Sequence, residues 1–206
     1  MKPVLHIEGR NATNGGGFTL LEVLIAFTLV VILLFNATQL INTASKAGDH
    51  TAKQQELDQL ADQVIDRIAL ALMAANEERT LPANSAPFNS DLINYETSLG
   101  VEDGETVWSE PERIALDTQD SMVSWYRNPE TPDVFKLVWG KHVSEMQIDE
   151  LGGNNADDNG NVLIDEKGLS FNIDRSSVQI NLTLRQVLTD GTEISASTKT
   201  RVAFRN

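Results

Sequence analysis

Two groups of residues have types and spacings suited to chemistry. The first is Asn155-Ala156-Asp157-Asp158-Asn159-Gly160-Asn161-Val162-Leu163-Ile164-Asp165-Glu166. Its oxygen-bearing residues follow the spacing of an EF-hand-like calcium loop, with Asn155, Asp157, Asn159, the backbone carbonyl of Asn161 and Glu166 as ligands. Calcium takes six or more hard oxygens, and Gly160 falls where such a loop must turn sharply, with Val162 placed to tuck inward. The first ligand position holds Asn rather than Asp, no helices are expected on either side, and Asp158 or Asp165 is an alternative ligand. The competing reading is a solvated acidic turn, because Asp, Asn and Gly are the residues that turns use. A bound calcium would be structural, neutralising clustered carboxylates and ordering a long loop.

The second is Glu22, the one charge in an otherwise apolar run over residues 18–35. A carboxylate a few residues inside a membrane span is costly unless something partners it. The run holds no Lys, Arg or His, so the expected counter-charge is another chain or a newly made amino terminus. Other chemistry is scarce. Without cysteine there are no disulfides, thiolate metal sites or cysteine nucleophiles. His6, His50 and His142 are too scattered for a zinc motif. No G-x-S-x-G elbow, Walker loop or dinucleotide fingerprint is present, and the chain is not expected to be an enzyme.

Among the elements that would position these groups, the N-terminal one is the clearest. At 1.5 Å per residue, residues 18–41 as a helix cover roughly 36 Å, enough to cross a hydrocarbon core of about 30 Å. Lys2 and Arg10 precede the run and the next positive charge is Lys46, which places the N-terminus in the cytoplasm and the remainder outside. From Leu57, the positions Leu60, Ala61, Val64, Ile65, Ile68 and Leu72 recur at spacings of three and four, the mark of one buried helical face. With no proline over residues 18–80, one helix is expected there, with Gly48 its weak point.

Short runs bounded by turn residues are expected as strands over 113–116, 122–126, 134–139, 143–148 and 169–173. The clearest is 178–184, where Val178, Ile180, Leu182 and Leu184 alternate with Gln179, Asn181 and Thr183, predicting a sheet wet on one side. Asp190-Gly191 is expected to turn the chain tightly into a partner strand over 194–204. Trp108, Trp125, Tyr126, Phe135 and Trp139 are expected in the core. The fold class is α+β, a long helix on an antiparallel head. The organisation is a leader over 1–17, the helix, and a head over 81–206 that carries the acidic loop 149–166.

The net charge of −14 is concentrated in the middle of the chain, which argues against nucleic-acid binding because such affinity needs cations to neutralise phosphates.

Gly17-Phe18-Thr19-Leu20-Leu21-Glu22, followed by Val23-Leu24-Ile25-Ala26, resembles the cleavage and methylation motif of type IV prepilins and type II secretion pseudopilins. The resemblance covers residues 17 to about 35. It implies cleavage by prepilin peptidase after Gly17, N-methylation of Phe18, and a meeting of Glu22 with the amino terminus of a neighbouring pilin subunit during filament assembly. It also implies a pilin-like fold, an inner-membrane precursor, and calcium held structurally, as several pseudopilins hold it. Residues 199–206 resemble the last strand of J-type pseudopilins and W-type minor pilins. The alternatives are a membrane-anchored, calcium-dependent binding module that never enters a filament, and a membrane-tethered enzyme.

Overall fold

The computed structural model describes residues 17–174 and 176–204; most of the expected leader, residues 1–16, lies outside the described residues. A single helix, α1 (Leu20–Met73), precedes nine strands. The chain divides into two compact units, residues 1–49 and 50–206.

In the first unit the helix is apolar on every side and uncovered: Leu24, Phe27, Leu33, Phe35 and Leu40 are all exposed. It is long and apolar enough to cross a membrane, with a mean hydropathy of 2.5 over its best window. Hydrophobicity all round a helix suits a lipid environment, whereas a stripe suits a protein core.

In the second unit the helix shows such a stripe. Leu57, Ala61, Val64, Ile65, Ile68 and Leu72 are buried, as their spacing predicts, and Leu60 packs at the margin of the same core. Helix α1 ends at Met73, seven residues before the expected end. There the backbone finds other partners. The Asn76 N–H donates to the Glu96 carbonyl and Ala75 bridges to Thr97, so the chain leaves the helix to join the sheet region. A short 3-10 turn, Glu77–Arg79, follows, with Asn76 as its cap.

The strands form two antiparallel sheets and a ribbon. The four-stranded sheet, in order β1-β4-β5-β6, consists of β1 (Leu92–Tyr95), β4 (Glu112–Asp117), β5 (Met122–Arg127) and β6 (Phe135–Lys141). The ribbon is β2 (Ser98–Glu102) with β3 (Glu105–Trp108), and the three-stranded sheet is β7 (Leu169–Asp174), β8 (Ser177–Val187) and β9 (Glu193–Ala203). β1, β2 and β3 are additions to the sequence reading. The expected strand over 143–148 does not form. Only Val143 and Met146 make isolated bridges, because the polar side chains of this segment are drawn into the layer described below. The turn at Asp190-Gly191 belongs to a wider loop, since β8 and β9 pair from Val187 and Glu193.

One apolar cluster joins the stripe of α1 to Ile93, Tyr95, Ile114, Phe171 and the inward residues of β8. Gly140 on β6 lets the helix approach: a Cβ there would lie 2.5 Å from Val64 Cγ2. The expected aromatic core is corrected. Trp125 and Trp139 stack at 6.1 Å on the margin of the cluster, Phe135 is mostly exposed, and the fully buried aromatic side chains are Tyr95 and Phe171.

Candidate functional site

The polar face of the sheet β7-β8-β9 is wet along β9, where Ser195, Ser197, Lys199 and Arg201 are exposed, and covered only over β7 and the middle of β8. Asn181 and Thr183 on β8 are buried, along with Ser170 and Asn172 on β7. Asn172 donates to the Asn84 and Phe88 carbonyls ahead of β1, and what covers Ser170, Asn181 and Thr183 is the long connection between β6 and β7, which contains the acidic loop. Residues 142–144 extend the ladder beyond the start of β7, with the Ser144 N–H donating to the Thr183 carbonyl and the Arg185 N–H to the His142 carbonyl. Gly168 makes this crossing possible, because a Cβ there would fall 2.0 Å from the Ser144 carbonyl oxygen.

Gln147 fastens the cover. Its Nε2 donates to the carbonyls of Lys167 and Gly168, each at 3.0 Å, and its Oε1 accepts from Thr183 Oγ1 at 2.6 Å. The Gln147 N–H also donates to the Glu166 carbonyl, so the two stems of the loop run together. Two glutamates are thereby carried into one buried polar layer.

Glu166 is fully buried. Its Oε2 accepts from Asn161 Nδ2 at 2.7 Å and Asn159 Nδ2 at 3.4 Å, and its Oε1 accepts from Asn181 Nδ2 at 3.2 Å and Ser170 Oγ at 3.5 Å. Burial pushes its carboxyl above the usual range and the negative charge of Glu150 adds to this, while the Asn161, Asn159 and Ser170 donors oppose it. Glu150 was not among the residues expected from the sequence. It is 6% exposed; its Oε1 accepts the Asp165 N–H at 2.8 Å, and its Oε2 is buried without a hydrogen-bond partner.

The five expected calcium ligands therefore separate. Asn159, Asn161 and Glu166 meet. Asp157 does not join them, because its carboxylate accepts the backbone N–H groups of Gly160, Asn161 and Val162 and so shapes the turn. Asn155, at φ 54°, gives its own N–H to Asp165 and makes no side-chain bond to the Glu166 group among the described residues. Leu163, rather than Val162, tucks inward: Leu163 is buried and Val162 is exposed. Among the described residues no group of three or more His, Asp or Glu side chains has metal-holding geometry.

The second candidate segment lies at the start of α1. Gly17, Phe18 and Thr19 are non-helical and exposed, with open space around Gly17. Thr19 and Glu22 form a capping box. The Thr19 N–H and Oγ1 donate to Glu22 Oε2 at 2.8 and 3.0 Å, and the Glu22 N–H donates to Thr19 Oγ1 at 3.2 Å. These partners are neutral and supply no counter-charge. Within the chain, neutral donors already hold it at the helix N-terminus, where the macrodipole favours negative charge.

No family model, curated protein or solved structure matches this chain.

Proposed function

We propose that this chain is a minor pilin or pseudopilin, a structural subunit of a type IV pilus or a type II secretion pseudopilus. The observation that carries this reading is the junction at Gly17-Phe18. An exposed, non-helical glycine precedes a helix that is apolar on every side and opens with Glu22 in its first turn. A peptidase needs an extended, accessible backbone at the bond it cuts. Lipid, or the packed helices of a filament, would then cover the apolar surface of residues 18–41.

On this reading prepilin peptidase cuts after Gly17, Phe18 becomes the N-methylated first residue, and Glu22 receives the amino terminus of a neighbouring subunit. Thr19 would hold the carboxylate oriented until that charge arrives. The leader stays in the cytoplasm, α1 begins in the inner membrane, and the head lies outside.

The test is intact mass and N-terminal sequencing of the protein recovered from cells with and without prepilin peptidase. A methylated Phe18 terminus that depends on the peptidase is the expected result. An uncut chain in both strains would overturn the proposal and favour a membrane-anchored binding module.

A further inference from the structure

We infer that the recess between the end of α1 and the β2–β3 ribbon docks an extended segment of a partner protein, one that alternates apolar and basic side chains and adds to the free edge of β2 as a third strand. The site lies within residues 50–206 and stands apart from filament assembly.

It begins with an unfinished sheet. β2 and β3 pair only with each other. Along the outer edge of β2 the chain leaving α1 makes one antiparallel bridge, Ala75 to Thr97, and the Asn76 N–H donates to the Glu96 carbonyl. Continued along Ser98–Glu102, that pairing would fall on Ala74 and then on Met73, where α1 ends. Helical backbone cannot extend a ladder, so this edge has no strand partner among the described residues. Beside it lies a recess of about 570 Å³, with Ala74, Asn76, Ser98, Leu99, Thr106 and Trp108 in its lining. A row of unpaired backbone N–H and C=O groups is a template for another strand.

The surrounding side chains specify what that strand carries. Leu99 is 68% exposed and Val101 72%, and Leu70 and Met73 are exposed at the end of α1. Apolar side chains on one face of an added strand would cover such residues. Over residues 71–110 there are eight Asp or Glu residues and one basic residue, Arg79. Arg79 is already committed: it pairs with Glu96 and lies over the Trp108 ring, 4.5 Å from its centroid. Glu77, Glu78, Glu102, Asp103 and Glu105 form no ion pair among the described residues. Helix α1 also has no basic residue in its last turn, which leaves the negative end of its macrodipole uncompensated. Lys or Arg side chains on the added strand would supply the missing charge. A second copy adding its own β2 would set like carboxylates against each other, and an anionic lipid surface is repelled in the same way.

The test uses the full chain in non-ionic detergent and a fluorescein-labelled synthetic peptide of alternating Val and Lys, followed by anisotropy. Saturable one-to-one binding that weakens as salt rises is expected, with amide exchange slowed over Ser98–Glu102. The same peptide N-methylated at every backbone amide keeps its side chains but cannot pair as a strand, and it should not bind. A peptide of alternating Val and Glu should not bind either. Leu99→Lys should weaken binding about tenfold or more by placing like charges together. Leu137→Lys, on the exposed edge strand β6, should keep wild-type affinity. Should Leu99→Lys misfold by circular dichroism, Val101→Lys carries the same expectation. No binding by wild type, equal binding of the N-methylated or the acidic peptide, or wild-type affinity in Leu99→Lys would each overturn the proposal.

Discussion

In its middle, β8 is buried on both faces, but by opposite means. Val178, Ile180, Leu182 and Leu184 enter the apolar cluster that contains the stripe of α1. Asn181 and Thr183, one pleat away, are covered by the acidic connection, and each is bonded there to a side chain of that cover, Glu166 and Gln147. Apolar burial is non-directional, so a helix with the right stripe suffices. Polar burial requires a donor or acceptor at a set place, so the covering segment must be shaped to the strand. That requirement draws Gln147, Glu150 and Glu166 into position.

The largest effect that would sharpen this contrast is expected on the apolar face. Leu182 is fully buried, and Leu182→Ala should cost about 2–5 kcal/mol by transfer and cavity terms, read from urea unfolding of the full chain in detergent. A loss below about 1 kcal/mol would mean the face is loosely packed. On the polar face Thr183→Val keeps the shape but removes the donor to Gln147 Oε1. It should cost about 1–3 kcal/mol through the acceptor left unsatisfied. It should also speed amide exchange at Gln147 and Gly168 more than at Ile180. Uniform acceleration would mean that the cover and the sheet open as one unit.

The smallest effect is at the end of the sheet. Asp190 is held down to about 2 by the Thr192 N–H and by His50, 2.8 Å away. A carboxyl lowered in the folded state adds stability above its unfolded value and loses it as pH falls through the folded one. The melting difference between wild type and Asp190→Ala should therefore shrink progressively from about pH 5 and vanish by about pH 1, below both values. A difference that persists at lower pH would trace the role of Asp190 to packing.

Legibility in the sequence followed periodicity and local chemistry. The buried stripe of α1 and the alternation in β8 were both readable, since each repeats over several turns or pleats. The β2–β3 hairpin also carried its signal, Asp103-Gly104, and the pairing of Glu102 with Glu105 leaves those two residues as the turn, both at positive φ. Asp190-Gly191 carried the same signal and sits within a longer loop, because the ladder pairing there stops at Val187. The early end of α1 was hidden, since Ala75 and Asn76 leave the helix for partners some twenty residues further on. The exposure of Phe135 was hidden too, because an aromatic in a strand has no local mark of which sheet face will be covered.

The sequence by itself determined the apolar N-terminal run, the single charge within it, the stripe of α1 and the α+β order of elements, because periodicity and composition are properties of neighbouring residues. Only the tertiary structure decided that Asn181 and Thr183 on the polar face of β8 are buried, that Asp157 turns its own loop, and that Glu150 and Glu166 share one buried layer. Residues 150 and 166 are brought together by the closing of a loop stem against a strand, and which long-range hydrogen bonds will close it is not written in the spacing of either segment.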